Sequence, residues 1–198
     1  MLPPGETYEL LRHLTTPLVA VTTRWRDRCN GLVATSAQRA SLSLQIPRLS
    51  VDIHKWTYTH ELLWKSGRFA VHLLHPGQLE LVHRLGFTSG REVDKLVGIA
   101  YRAGSSGSPI LEDCFAWFDC RVVNVMDAGA YTSFLGDVVA AGRGPGTEVL
   151  TSGHFRSVMP ESWQREYALR LTRAQAWATE HSMIEPLNWP GPADEGNG

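Results

Sequence analysis

Two long apolar-rich stretches lie back to back in the second half of the chain, and they limit what the rest can form. Cys114 to Met126 reads CFAWFDCRVVNVM and Tyr131 to Ala141 reads YTSFLGDVVAA, with the turn residues Asp127-Ala128-Gly129 between them. Strands joined this tightly must pair antiparallel, because a parallel return needs a crossover of about a dozen residues or more. A hairpin of this length offers two open edges and an apolar face, so further strands and helices have to cover it.

The rest of the sequence supplies those elements. Leu18 to Thr23 is rich in β-branched residues and reads as a strand. Asp27 to Gly31 carries turn chemistry, with Asn30-Gly31 the strongest hairpin signal, and Leu32 to Ser36 reads as the returning strand. Leu49, Val51 and Ile53 alternate with Ser50, Asp52 and His54, the pattern of a half-buried strand. Phe69 to Leu74 is another strand.

Four helices are predicted. Glu6 to Leu14 places Tyr8, Leu10, Leu11 and Leu14 on one face. A second runs from His60 to about Lys65, capped by Thr59 and ended by Ser66-Gly67. A third opens at Pro76-Gly77 and a fourth at Pro160, running to about His181. Gly86 to Gly107 reads mostly as loop, with a helical turn around Val93 to Leu96. Strand–helix alternation is too irregular for a doubly wound fold. The expected class is mainly β with helices, an antiparallel barrel with helical decorations. The expected division is a barrel domain over 1–150, a helical extension over 151–185 and a flexible Pro/Gly-rich tail over 186–198.

Composition narrows the function. A formal net charge of -1, with Arg and Lys scattered, argues against a nucleic-acid partner. No apolar run approaches the roughly 20 residues of a membrane span, and the N-terminus lacks the basic-then-apolar pattern of a secretory signal. Cys29, Cys114 and Cys120 are odd in number and form no CxxC, so the simple expectation is a reduced, cytoplasmic protein. His72, His75 and His83 match no metal-binding spacing, and no metal site is expected.

Three ordered segments carry a resemblance to a known family. The first is Pro17-Leu18-Val19-Ala20-Val21-Thr22-Thr23 followed by Asn30-Gly31-Leu32-Val33-Ala34-Thr35-Ser36. The second is SLQIPRLSVDIHKWTYTHELLWKSGRFAVHLL, from Ser43 to Leu74. The third combines Asp94-Lys95-Leu96, Pro109-Ile110-Leu111-Glu112, Ala116 to Cys120 and Gly136-Asp137-Val138-Val139. Together these resemble the flavin reductase-like domain, a Greek-key FMN-binding split barrel. The sequence departs from the family in a longer connection over Ala37 to Leu42, and in Ile46 at the place of a proline. It departs also in Gly129-Ala130-Tyr131, where the family often carries Gly-Asp-His.

The resemblance implies a homodimer with FMN, or else FAD, between subunits, and NADH or NADPH as electron donor. It also implies a flavin-dependent monooxygenase as a downstream partner. The alternative is an electron-transfer or partner-dependent flavoprotein without its own NAD(P)H activity, suggested by the replaced Gly-Asp-His. A flavin phosphate needs N–H donors, hydroxyls and a cation. His54, Lys55, Thr57 and Thr59, at the start of a helix, can supply these, with Lys55 as the cation. Glu61 in the first turn would repel a phosphate on the helix axis. Thr35 and Ser36 at a strand end, with Arg39 and Ser41 beyond, extend the candidate set, while an ordinary capped helix and strand end remain the plainer reading. Tyr131 is either a ring contact at the site mouth or, as a Tyr beside a turn more often is, a cross-strand packing residue. No catalytic side chain is required, because the redox chemistry belongs to the cofactors. Trp56 is the tryptophan best placed by sequence to approach a ligand.

Overall fold

The computed structural model describes residues 17–193, with Pro3 and Glu6 before them. The helix expected over 6–14 falls, beyond Glu6, outside the described residues. The strands are β1 (Val19–Trp25), β2 (Arg28–Ala34), β3 (Gln38–Arg39), β4 (Arg48–His54), β5 (Arg68–Leu73), β6 (Tyr101–Ala103), β7 (Pro109–Leu111), β8 (Ala116–Ala128) and β9 (Tyr131–Arg143). The helices are α1 (Tyr58–Ser66), α2 (Leu79–Phe87) after a 3-10 turn at Pro76–Gln78, α3 (Ser152–Val158) and α4 (Glu161–Glu180).

Seven strands form one antiparallel sheet in the order β2-β1-β5-β8-β9-β4-β3, and β6 pairs β7 in a separate ribbon. Val19, Val21, Leu32, Val51, Ile53, Phe69, Val71, Val122 and Phe134 share one core, closed by Leu63 of α1. Leu32 and Val51 come from strands near opposite ends of the sheet order, so the sheet curls until its ends meet. This is the split barrel, mainly β with helices around it. Register slips at Asp119/Cys120 and Val122/Asn124 bend β8 into the curve. Gly136 lets β9 pass the central ring: a Cβ there would lie 2.8 Å from Phe69. The other face of β1, Leu18 and Ala20, packs with α2 and α3 through Val82, Leu85, Phe87 and Phe155. Burial on both faces explains why β1 opens on the unbroken apolar run Val19-Ala20-Val21.

Several sequence expectations shift. The first hairpin turns at Arg26-Asp27, with Arg26 at φ 54, and Asn30-Gly31 lies inside β2. Asn30 is buried and donates to Thr59 Oγ1 at 3.0 Å, while Gly31 fits beneath β1, where a Cβ would be 3.3 Å from Thr22. Tertiary packing uses that Asn-Gly pair, not turn geometry. Thr57, not Thr59, caps α1: its hydroxyl accepts from the His60 N–H at 3.2 Å. Gly67 ends the helix in the left-handed region, at φ 62. Helix α3 was not anticipated.

The segment expected to be mobile beyond Pro186 folds back along the barrel as far as it is described. The Trp189 indole donates to the Trp64 carbonyl at 3.1 Å, and the Ala193 N–H to the Lys65 carbonyl at 2.8 Å. These satisfy carbonyls that the end of α1 leaves without helical partners. Composition registers the prolines and glycines but not the single Trp that anchors them. No described helix is long and apolar enough to cross a membrane.

Candidate functional site: a cleft between the barrel and the C-terminal helix

A cleft of about 740 Å³ opens where β2, β4 and the start of α1 face α3 and α4. That lies within the roughly 300–1,000 Å³ typical of small-molecule sites. It brings together Thr35, Ser36, His54, Thr57, Thr59 and Tyr131 from the sequence-derived set, and Trp56 with them. Arg39, Ser41 and Lys55 do not line it. Arg39 is exposed on β3, and Ser41 accepts from the Ser43 N–H at 3.0 Å. Lys55 follows β4 out of the strand and pairs with Asp127 at 2.5 Å, beside the β8–β9 turn.

The hydroxyls differ in what they have left to offer. Ser36 is bound to β4, donating to the Asp52 carbonyl at 3.0 Å and accepting from its N–H at 3.1 Å. Thr57 donates to the His54 carbonyl at 2.8 Å while capping α1. Thr59 is buried and holds Asn30. Thr35 is exposed, with no hydrogen bond from its hydroxyl among the described residues. With His60 capped, the N–H groups of Tyr58 and Thr59 at the start of α1 have no acceptor within the helix. The free donors are therefore a hydroxyl on β2 and two backbone N–H groups on α1.

The cation at this end is Arg91, which no local sequence signal singles out. It donates to the Trp56 carbonyl at 3.1 Å, pairs with Glu61 at 3.2 Å and lies 5.3 Å over the Tyr58 ring. Gly90 allows this: a Cβ there would run into the Asn30 side chain, so only glycine lets the loop come so close to β2. Glu61 is bracketed by Lys65 at 2.8 Å as well as by Arg91. The Lys65 hydrogen bond outweighs lost hydration and, with Arg91, holds its carboxyl below the ordinary range. The expected repulsion of a phosphate is neutralised in place.

The adjoining wall is aromatic. Tyr131 pairs across the strands with His54 and meets its ring edge-on, centroids 4.7 Å apart. Trp177 of α4 stands 4.9 Å from His54 and 6.2 Å from Trp56. Tyr131 is thus a cross-strand packing residue that also lines the cleft. Burial, and secondarily the nearby His181, lowers His54 to about 4, so this wall is uncharged at neutral pH. His72, His75 and His83 serve elsewhere: His72 bonds Ala20 and Leu111, His75 pairs with Asp113, and His83 with Glu166.

Donors at one end, a cation beside them and an uncharged aromatic wall fit a phosphorylated planar cofactor. Comparison with known proteins agrees. Residues 11–159 match the model of the flavin reductase like domain. The chain is 32% identical over 150 residues to a high molecular weight rubredoxin from Moorella thermoacetica, covering 75% of this chain and 65% of that protein. It is thus similar to somewhat under two thirds of that protein's length. It is 32% identical over 130 residues to a ferric-chelate reductase (NAD(P)H) from Archaeoglobus fulgidus, covering 65% of this chain and 75% of that protein. Among solved structures, an FMN-binding protein from Thermus thermophilus with bound p-hydroxybenzaldehyde superposes with a TM-score of 0.61 and 34% identity, covering 66% of this chain and 73% of that one. The match over residues 11–159, together with the barrel fold shared with the Thermus thermophilus structure, places the chain in the flavin reductase-like domain family.

Proposed function

We propose that the cleft binds FMN or FAD and that the protein reduces it with NADH or NADPH. The observation that carries this is the convergence of Thr35, the Tyr58 and Thr59 N–H groups and Arg91 in one cleft, beside a wall that is aromatic and uncharged. When bound, the flavin supplies the hydride-accepting ring. The chain's own work is to hold and orient. Arg91 and the α1 N–H groups fix the phosphate end, and Trp56, His54 and Tyr131 form an aromatic wall for the ring. Helix α4 screens the cleft from bulk water. Stacking two rings at close range needs no nucleophile, so catalysis here is positioning.

Aerobic NADH or NADPH oxidation by purified protein with added FMN or FAD is the test. Turnover well above that of free flavin is expected, and none above it would overturn the reductase reading. Arg91→Ala is expected to weaken flavin binding about ten- to a hundred-fold in a fluorescence titration, the range for losing a charge-assisted hydrogen bond. An unchanged affinity would remove Arg91 from the site.

A second reading, a flavoprotein reduced by a partner, is favoured by Gly129-Ala130-Tyr131. Ala130 is buried and brings no acid or imidazole to the aromatic wall. It expects bleaching by dithionite but not by NAD(P)H. A homodimer accounts for the apolar surface of Leu42, Leu44 and Ile46, which stand 85%, 91% and 49% exposed on the segment before β4.

A further inference from the structure

Helix α4 lies outside the span of the family match, yet it forms one wall of the cleft. Trp163, Tyr167, Arg170, Ala174 and Trp177 follow a helical repeat along its inner face. Both ends of that face are anchored. Trp163 stacks on His83 with centroids 4.2 Å apart, and Glu166 beside it pairs with His83 at 3.0 Å. Trp177 packs on His54 and stacks on His181 at 3.8 Å. Between the anchors, Tyr167, Arg170, Leu171 and Ala174 face the cleft, and no residue of α4 is buried. A helix held at both ends over a cleft, with its inner middle still wet, has the form of a wall that a ligand completes.

The charges at this end are one-sided. Arg156 of α3, Arg170 of α4 and Lys95 line the cleft here. Arg156 makes no ion pair among the described residues. Lys95 is buried, and among the described residues its ammonium donates only to the carbonyls of Leu85 at 2.8 Å and Thr88 at 3.4 Å. Arg170 is partly balanced by Glu166 at 3.2 Å. Asp52 is the acidic side chain of the lining. Burial, and next the charge of Arg170, lowers Lys95 to about 8, a sign that these cations feel one another. Arg91 and the α1 N–H groups already serve one phosphate, and Arg91 is balanced by Glu61. The α3–α4 cations are surplus to a mononucleotide.

We propose that Arg156 and Arg170, with Lys95 behind them, form a second anion subsite that takes the pyrophosphate of a dinucleotide laid under α4. This rests on the flavin reading above and extends it, because the two sources of that chemistry are FAD and the nicotinamide dinucleotide. Arg170 is the specificity-determining member, contributed by a helix beyond the span of the family match.

The test is the Arg156→Ala/Arg170→Ala variant of the full chain, titrated with FMN and FAD by flavin fluorescence and assayed for NADH oxidation. Both arginines are exposed on helices, so an unchanged thermal melt is expected. If FAD is the occupant, its Kd rises about ten-fold or more while that of FMN holds within about two-fold. If the nicotinamide dinucleotide is the occupant, both flavin affinities hold and KM for NADH rises about ten-fold at constant kcat. The Arg156→Lys/Arg170→Lys variant recovers most of either loss. Equal weakening of FMN and FAD, or no change in any of the three, overturns the subsite. Wild-type protein that binds neither flavin overturns the flavin reading and the subsite with it. Wild-type flavin binding and NADH oxidation that the variant both leaves intact overturn the subsite alone.

Discussion

Replacing Lys55 by alanine is expected to destabilise the protein by about 3 kcal/mol while leaving flavin affinity within about two-fold of wild type. Lys55 donates to Asp127 at 2.5 Å, and the Asp127 side chain is 4% exposed against 27% for Lys55. The carboxylate also accepts from the Gly129 N–H at 2.9 Å and the Glu185 N–H at 3.1 Å. It therefore joins the β4–α1 corner, the β8–β9 turn and the returning C-terminal segment. Burial alone would raise its pKa, but Lys55 and the two N–H groups together bring it below the ordinary value. Stability from this group is present above the usual carboxylate range and is lost as pH falls through the lowered pKa. Removing Lys55 leaves the charge buried with backbone donors only. Breaking a buried pair from one side costs about 3–5 kcal/mol, and the partial exposure of Lys55 sets the lower figure. Urea denaturation at pH 7 should show the midpoint falling by about 1–2 M. Lys55→Met with Asp127→Asn should recover part of the loss, because neither charge is then stranded. A stable Lys55→Ala protein with flavin affinity down ten-fold would instead mean that the ammonium leaves Asp127 for the phosphate.

That prediction also marks where sequence reasoning stops. The alternation of Leu49, Val51 and Ile53 set the faces of β4, and the long stretches after Cys114 gave the central hairpin within two residues at each end. Thr35, Ser36, His54, Thr57 and Thr59 were legible because they belong to motifs at the ends of such elements. Lys55 stands one residue past the strand, where no period sets the direction of a side chain, and its partner lies 72 residues away. Arg91, Arg156 and Arg170 come from a loop and two helices far apart in the chain. Their convergence is a property of the closed barrel and has no local signature. Asn30-Gly31 failed for a related reason: the pair favours a turn, but burial of Asn30 against Thr59 and the close pass of Gly31 under β1 use the same residues for packing.

The anchors of α4 connect this fold to its function. The rings at its two ends stack on His83 and pack at a tilt on His54, both of which belong to barrel-side elements already committed to structure. The site is half rigid scaffold and half added wall, which is how one family fold can carry different ligand preferences.

Acid should unfold this protein through its histidines before its carboxylates titrate. His72 is fully buried, and burial lowers it to about 4 despite the Ala20 carbonyl. Its Nε2 accepts the Leu111 N–H at 3.0 Å, so the proton sits on Nδ1, facing the Ala20 carbonyl at 3.2 Å. Protonating Nε2 would set two N–H groups against each other and break the tie between β5 and β7. His60, 2.8 Å from Thr132 Oγ1 and stacked on Trp64, is lowered to about 4, by burial first and then by Lys55 and His54. Both bind protons in the unfolded chain near 6.5 and in the folded chain only near 4, so stability falls as pH drops through that window. Between pH 7 and 5 the loss is about 2 kcal/mol for His72 and about twice that with His60. Urea midpoints measured at pH 7, 6 and 5 should decline steeply, and His60→Gln should flatten the curve while keeping a hydrogen bond to Thr132. A midpoint that is level down to pH 5 would show that neither ring is held neutral by the fold.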